Sequence, residues 1–118
     1  MEGVVRKLQA VIGIPFSILG RPDIVIEFVV DTGFSGELLL PKEAVEILGL
    51  PYQIDVMSTL ADGVSRRVAL HKATISWNGE LLDVGVLATG NRPLLGTALL
   101  ADHRLEIEFD EDSIVHVY

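Results

Sequence analysis

Ile24-Val25-Ile26-Glu27-Phe28-Val29-Val30-Asp31-Thr32-Gly33-Phe34-Ser35 decides the fold of this 118-residue chain. The β-branched residues Ile24, Val25, Ile26, Val29 and Val30 favour a buried strand, and Gly33 supplies the freedom for a sharp reversal directly behind it. Asp31 is thereby held at a fixed strand end. Thr32, between the acid and the glycine, carries a hydroxyl that both donates and accepts, which suits a position that locks two loops together. Thr32 reads as scaffold rather than reagent.

Working outward, residues 8–19 read as a strand, residues 20–23 as a turn, and residues 24–30 as the hairpin partner that delivers Asp31. Leu38-Leu39-Leu40 is a short buried strand. Pro41 opens a helix that runs to Leu48 and that Gly49 closes, with Pro at the start and Gly past the end. Residues 52–60 and 64–77 flank a turn at Asp62-Gly63. Asn78-Gly79 is the strongest hairpin signal in the chain and leads into residues 81–88. Leu105, Ile107 and Phe109 alternate with Glu106 and Glu108, which makes a half-buried strand with a wet face rather than a pair of catalytic acids. Residues 113–118 form a last strand with no following element to pair with. No linker or repeat interrupts the chain, so residues 1–118 are expected to form a single domain.

A hydrophobic content of 49% lets a chain of this length bury a real core. A mean hydropathy of +0.44 is high for a monomer of this size, so the surplus apolar surface is expected to meet a partner. Zero cysteines exclude disulfides and thiolate chemistry. Arg6 and Lys7 are followed by Gly13 and Pro15 with no small-residue cleavage site, which argues against a signal peptide, and no apolar stretch is long enough to span a bilayer. A soluble, cytoplasmic protein without membrane contact is the expectation. A net charge of -8, with the basic residues gathered no further than the pairs Arg6-Lys7 and Arg66-Arg67, argues against nucleic acid as a ligand. The same charge predicts apolar or basic rather than acidic substrates.

Hydrolysis of a peptide by carboxylates needs two of them sharing one proton. One acts as base toward a water while the other stays protonated to polarise the carbonyl. Asp31-Thr32-Gly33 supplies one. Asp62-Gly63 lacks the intervening hydroxyl residue, and no other aspartate is followed by Thr-Gly or Ser-Gly. A two-fold homodimer supplies the second half, because a residue near the symmetry axis meets its own copy.

With these residues in view the chain resembles a retropepsin-like aspartic protease, the single-domain, dimeric branch of the pepsin-like superfamily. It is similar to the small bacterial and archaeal members with Asp-Thr-Gly-Phe-Ser. Two further stretches carry the resemblance. Leu94-Leu95-Gly96, followed by a helical segment over residues 97–103, resembles the family's second signature, which packs beneath the active-site turn. Leu60-Ala61-Asp62-Gly63-Val64 resembles the tip of its flap hairpin. The likeness runs from about Leu8 to Tyr118. It implies a mainly β fold, a closed pepsin-like or retropepsin-like acid protease barrel with one or two short helices, whose half-site is completed by dimerisation. It further implies an aspartic endopeptidase with Asp31 catalytic, Thr32, Gly33 and Ser35 supporting the turn, Ala61, Asp62 and Gly63 in a flap, and no cofactor or metal. Terminal strands that interleave across the dimer axis belong to the same expectation.

One departure stands out. Phe34 occupies a position where better-known relatives carry Ser or Ala; a Ser hydroxyl can hydrogen-bond the acid and Phe cannot, so activity nearer neutral pH is expected. Ser35, the next position, is placed either to contact the substrate backbone or to satisfy a neighbouring strand, the second role being slightly favoured.

Competing chemistries are weaker. His71, His103 and His116 are scattered, with no Cys and no short metal-ligand spacing, and read as surface or packing residues. Asp110-Glu111-Asp112 lacks the alternating oxygen ligands and glycine of a calcium loop. No serine stands in a Gly-x-Ser-x-Gly elbow. Phe16, Tyr52 and Trp77 read as core or rim aromatics, and Leu38, Val86 and Leu94 as core or groove lining in equal measure. Two alternatives to the enzyme stay open: a non-catalytic homodimeric peptide-binding or assembly module with the same fold, and an unrelated monomeric β-protein whose Asp-Thr-Gly is an ordinary turn.

Overall fold

The computed structural model describes residues 1–59 and 62–118. In chain order the elements are β1 (Glu2–Arg6), β2 (Gln9–Ser17), β3 (Ile24–Val30), β4 (Leu38–Leu40), α1 (Lys42–Leu48), β5 (Tyr52–Thr59), β6 (Ser65–Trp77), β7 (Glu80–Ala88), β8 (Leu94–Leu95), α2 (Thr97–Leu100), β9 (Leu105–Ile107) and β10 (Ile114–Val117). Along β2 the alternation of apolar side chains sends Ala10, Ile12, Ile14 and Phe16 inward, and Phe16 stacks on Phe28 of β3 with ring centroids 5.9 Å apart. The hairpin of β2 and β3 pairs Val11 with Val29 at one end and Phe16 with Ile24 at the other. That register leaves Asp31 just past the last residue of β3.

The strands form one sheet in the order β5-β6-β7-β4-β8-β3-β2-β1-β10-β9. An additional pairing joins β2 to β6 at Phe16–Ile75 and Ser17–Thr74. Strand pairing therefore leads from β2 through β3, β8, β4, β7 and β6 back to β2. The apolar side chains inside this circuit, among them Leu38, Leu40, Ile75, Val86 and Leu95, are wholly buried. Helix α1 lays Val45 and Leu48 against them. Its end follows from Gly49, whose φ of 65° is the left-handed conformation that turns the chain so that the Leu50 N–H reaches back to the Val45 carbonyl at 3.3 Å. Asn78 and Gly79 take φ of 52° and 84°, the pair of positive values that a two-residue hairpin between right-twisted strands requires.

Four expectations need correction. Leu8 is not in a strand: Lys7 and Leu8, at φ of 51° and 63°, form the turn between β1 and β2, and Leu8 is exposed. A two-residue turn without Gly or Asn is hard to foresee, because such φ values are strained for both side chains. Residues 97–103 are helical only over Thr97–Leu100, and His103 closes a turn by donating its N–H to the Leu100 carbonyl. Phe109 continues no strand; β9 ends at Ile107 and the Phe109 ring is exposed. Most consequentially, β10 has partners on both edges within the chain, β1 on one side and β9 on the other. Its backbone groups are thus satisfied without a second subunit. Near the N-terminus Glu2–Arg6 supply one of those partners as β1.

Candidate active site around Asp31

Strand β8 inserts between β3, to which it runs parallel, and β4, to which it runs antiparallel. Two hydrogen bonds fix the end of β3 on it: Val29 N–H donates to the Pro93 carbonyl at 3.1 Å and Asp31 N–H to the Leu95 carbonyl at 2.9 Å. The two stretches singled out in the sequence thus meet at Asp31 itself. Beyond that point the chain turns. Gly33 N–H donates to the Asp31 carboxylate at 2.9 Å and Phe34 N–H to the Asp31 carbonyl at 3.1 Å. Asp31 is half-buried, while Thr32, Gly33 and Ser35 are exposed. Among the described residues the hydroxyls of Thr32 and Ser35 have no hydrogen-bond partner. Both stand available at the surface beside the acid.

Below the turn, residues 34–37 and 96–98 are laced together. The Phe34 carbonyl accepts from Thr97 N–H at 2.8 Å and from the Thr97 hydroxyl at 3.3 Å; the Gly36 carbonyl accepts from Ala98 N–H at 3.2 Å and the Glu37 carbonyl from Gly96 N–H at 2.9 Å. Gly96 is required by space. A Cβ there would run into the Gly36 carbonyl oxygen and stand 2.6 Å from Cδ2 of the Phe34 ring. The same ring lies over Gly36, where a Cβ would stand 2.6 Å from Cζ. Phe34 therefore packs down onto two glycines, one from each signature. Glu37 ties the assembly to β7, its carboxylate accepting from Gly85 N–H at 2.8 Å. Sequence reading passed over this half-buried acid beside the Leu38–Leu40 run.

A cleft of about 450 Å³ opens on the turn. Asp31, Gly33 and Phe34 line it from one stretch, Ser58 and Thr59 from the end of β5, and Thr89, Arg92 and Leu94 from the approach to β8. A second cleft of about 310 Å³ also reaches Asp31, between Leu8, Val30, Thr32, Phe109 and Arg92. Leu94 is thus groove lining, whereas Leu38 and Val86 are core. Leu95 is core as well, wholly buried beneath the turn. Ser58, Thr59 and Arg92 went unnoticed in the sequence. The available signal was positional: if Leu94-Leu95 packs against the end of β3, the residues immediately before Leu94 must stand beside Asp31.

Of the expected flap tip, Leu60 and Ala61 lie outside the described residues. Asp62 and Gly63 form a turn between β5 and β6, with Gly63 at φ of 78°. The Asp62 carboxylate accepts from Val64 N–H at 3.0 Å and from the Arg66 guanidinium at 2.9 Å. The backbone N–H of Val64 first, and the Arg66 cation with it, hold the Asp62 carboxyl below the usual aspartate range. Thr59 and Ser65 close the hairpin base through their hydroxyls at 3.0 Å.

The histidines have structural partners. His71 Nδ1 bonds the Leu50 carbonyl, His103 stands between the Trp77 indole N–H and the Tyr118 carbonyl, and His116 lies 3.4 Å from Glu2. Phe16 and Trp77 belong to the core and Tyr52 to the rim.

Among solved structures the chain is similar to a retropepsin-like aspartic protease from Rickettsia conorii, with a TM-score of 0.63 and 19% sequence identity over 100% of this chain and 90% of that one. No protein-family model matches the sequence, and no curated protein matches it. The fold is retropepsin-like. At that identity the likeness is one of backbone architecture. No helix of the described residues is long and apolar enough to cross a membrane.

Proposed function

We propose that the protein is an aspartic endopeptidase that works as a homodimer. The observation that carries this reading is the placement of Asp31: at the end of β3, pinned by Leu95 on one side and Gly33 on the other, on a cleft of peptide-accommodating size in a retropepsin-like fold. The circuit of strands from β2 back to β2 is read as the closed barrel of that fold, and its lone Asp-Thr-Gly as half of a site.

Two Asp31 side chains, one from each protomer, hold a water between them. One takes a proton from the water as the oxygen attacks the peptide carbonyl; the other donates its proton toward the developing oxyanion. The proton then passes to the leaving amine, the C–N bond breaks and no covalent intermediate forms. The exposed hydroxyls of Thr32 bond across the dimer axis and fix the two turns. Residues 61–64 of each subunit, carried by the β5–β6 hairpin, close over an extended peptide and offer backbone groups for strand-like pairing. Ser58 and Thr59, already on the cleft, form the root of that flap.

Incubation with an unfolded protein mixture, followed by mass spectrometry of the products, tests the proposal. Cleavage that a pepstatin-like transition-state mimic blocks, and that Asp31→Asn reduces by about four orders of magnitude while circular dichroism stays unchanged, is the expected result. Equal rates for Asp31→Asn and the parent overturn the mechanism. Peptide binding without turnover in the parent protein favours the non-catalytic module.

A further inference from the structure

Arg92 and Asp31 are the two charged residues that line the larger cleft, and the same two are the charged residues of the smaller one. Among the described residues the ion pairs of the chain engage Arg6, Arg66, Lys72 and His116, and Arg92 is in none of them. Its partner is neutral. In the amide orientation that satisfies both ends of Gln9, the Gln9 carbonyl oxygen accepts from both terminal guanidinium nitrogens, at 2.9 and 3.1 Å. A forked contact of that kind fixes the plane of the guanidinium without neutralising it, and leaves other N–H groups free for a second acceptor. The backbone is fixed as well, because Pro93 follows and gives its carbonyl to Val29. An oriented, uncompensated cation therefore flanks the acid that the reaction is assigned to.

We infer that Arg92 is a specificity-determining residue that selects peptides with an Asp or Glu side chain close to the scissile bond. The inference rests on the protease reading and reverses the expectation, drawn from net charge, that acidic substrates are repelled. A net charge of -8 spread over the surface is screened beyond a Debye length of roughly 8 Å at physiological salt, whereas a guanidinium and a carboxylate in a cleft meet at hydrogen-bond distance. The contact outweighs the diffuse field. In a dimer the two copies of Arg92 offer such a contact on either side of the bond.

An otherwise uncharged peptide series that carries Glu or Gln at each position around the cleaved bond measures this directly. For the parent, kcat/KM is expected to favour Glu over Gln by about five- to tenfold at one position or more, and less so in high salt. Arg92→Gln should bring that ratio to about one, and Arg92→Glu should move the preference to Lys. A parent ratio at or below one at every position, or a ratio that survives Arg92→Gln, overturns the assignment. Binding of the same peptides to the Asp31→Asn protein reads the preference without turnover. A Glu preference in binding, lost with Arg92→Gln, combined with no cleavage by the parent, sinks the protease reading and upholds Arg92. Cleavage that treats Glu and Gln alike does the reverse.

Discussion

At the scale of single residues, Gly96 and Phe34 explain each other. The glycine has φ of -101°, which any residue can adopt, so its identity is set by space and not by backbone conformation. The Phe34 ring and the Gly36 carbonyl fill the volume where a Cβ would stand. Gly96→Ala is therefore expected to lower stability by about 3 kcal/mol, the upper end for overpacking a tight site, as read from the urea midpoint. Gly20→Ala is the matched control. Gly20 sits at φ of 79° with nothing near its Cβ position, so that change brings only the left-handed strain of about 1 kcal/mol. Equal losses for the two would contradict the packing account. Asp31, Gly33 and Gly96 stood out in the sequence as members of two short motifs, although neither glycine takes the positive φ that its residue type suggests. Arg92 and Glu37 did not, because a surface-type residue declares its neighbour only when two distant stretches come together.

At the scale of elements, what was legible depended on how local the cause was. Helix α1 between Pro41 and Gly49, the strand β3, and the Asn78-Gly79 hairpin follow from signals within a few residues, and their bounds were read within a residue or two. The Lys7-Leu8 turn and the two-residue β8 are made by tertiary pairing, β1 against β2 and β8 between β3 and β4, and leave no local trace. The β5–β6 hairpin adds a pH dependence of its own. Its turn holds the Asp62 carboxyl below the ordinary range through Val64 N–H and Arg66, so the contribution of that carboxylate is present above the unfolded value and lost as pH falls through the depressed one. The Val64 amide resonance is expected to titrate with a midpoint below the usual aspartate value, and Asp62→Asn to abolish the titration. A midpoint at or above the usual value would show that the turn does not hold the charged form.

At the scale of the whole molecule, β1 and β9 pair both edges of β10 within the chain, so β10 is not itself the strand to which a second subunit adds. Exposed groups also surround Asp31: the side chains of Leu8 and Phe109 on the smaller cleft, and the hydroxyls of Thr32 and Ser35, which have no partner among the described residues. In the proposed homodimer, apolar surface beside Asp31 is where a second copy has most to gain. Mixing the parent with Asp31→Asn in equal amounts, unfolding and refolding them together, and measuring peptide hydrolysis against the same total of parent alone tests the shared site most directly. If each active centre takes one Asp31 from each of two protomers, random pairing leaves about one quarter of the activity. Activity at about one half, the value for chains that act singly or for dimers with independent sites, would contradict it.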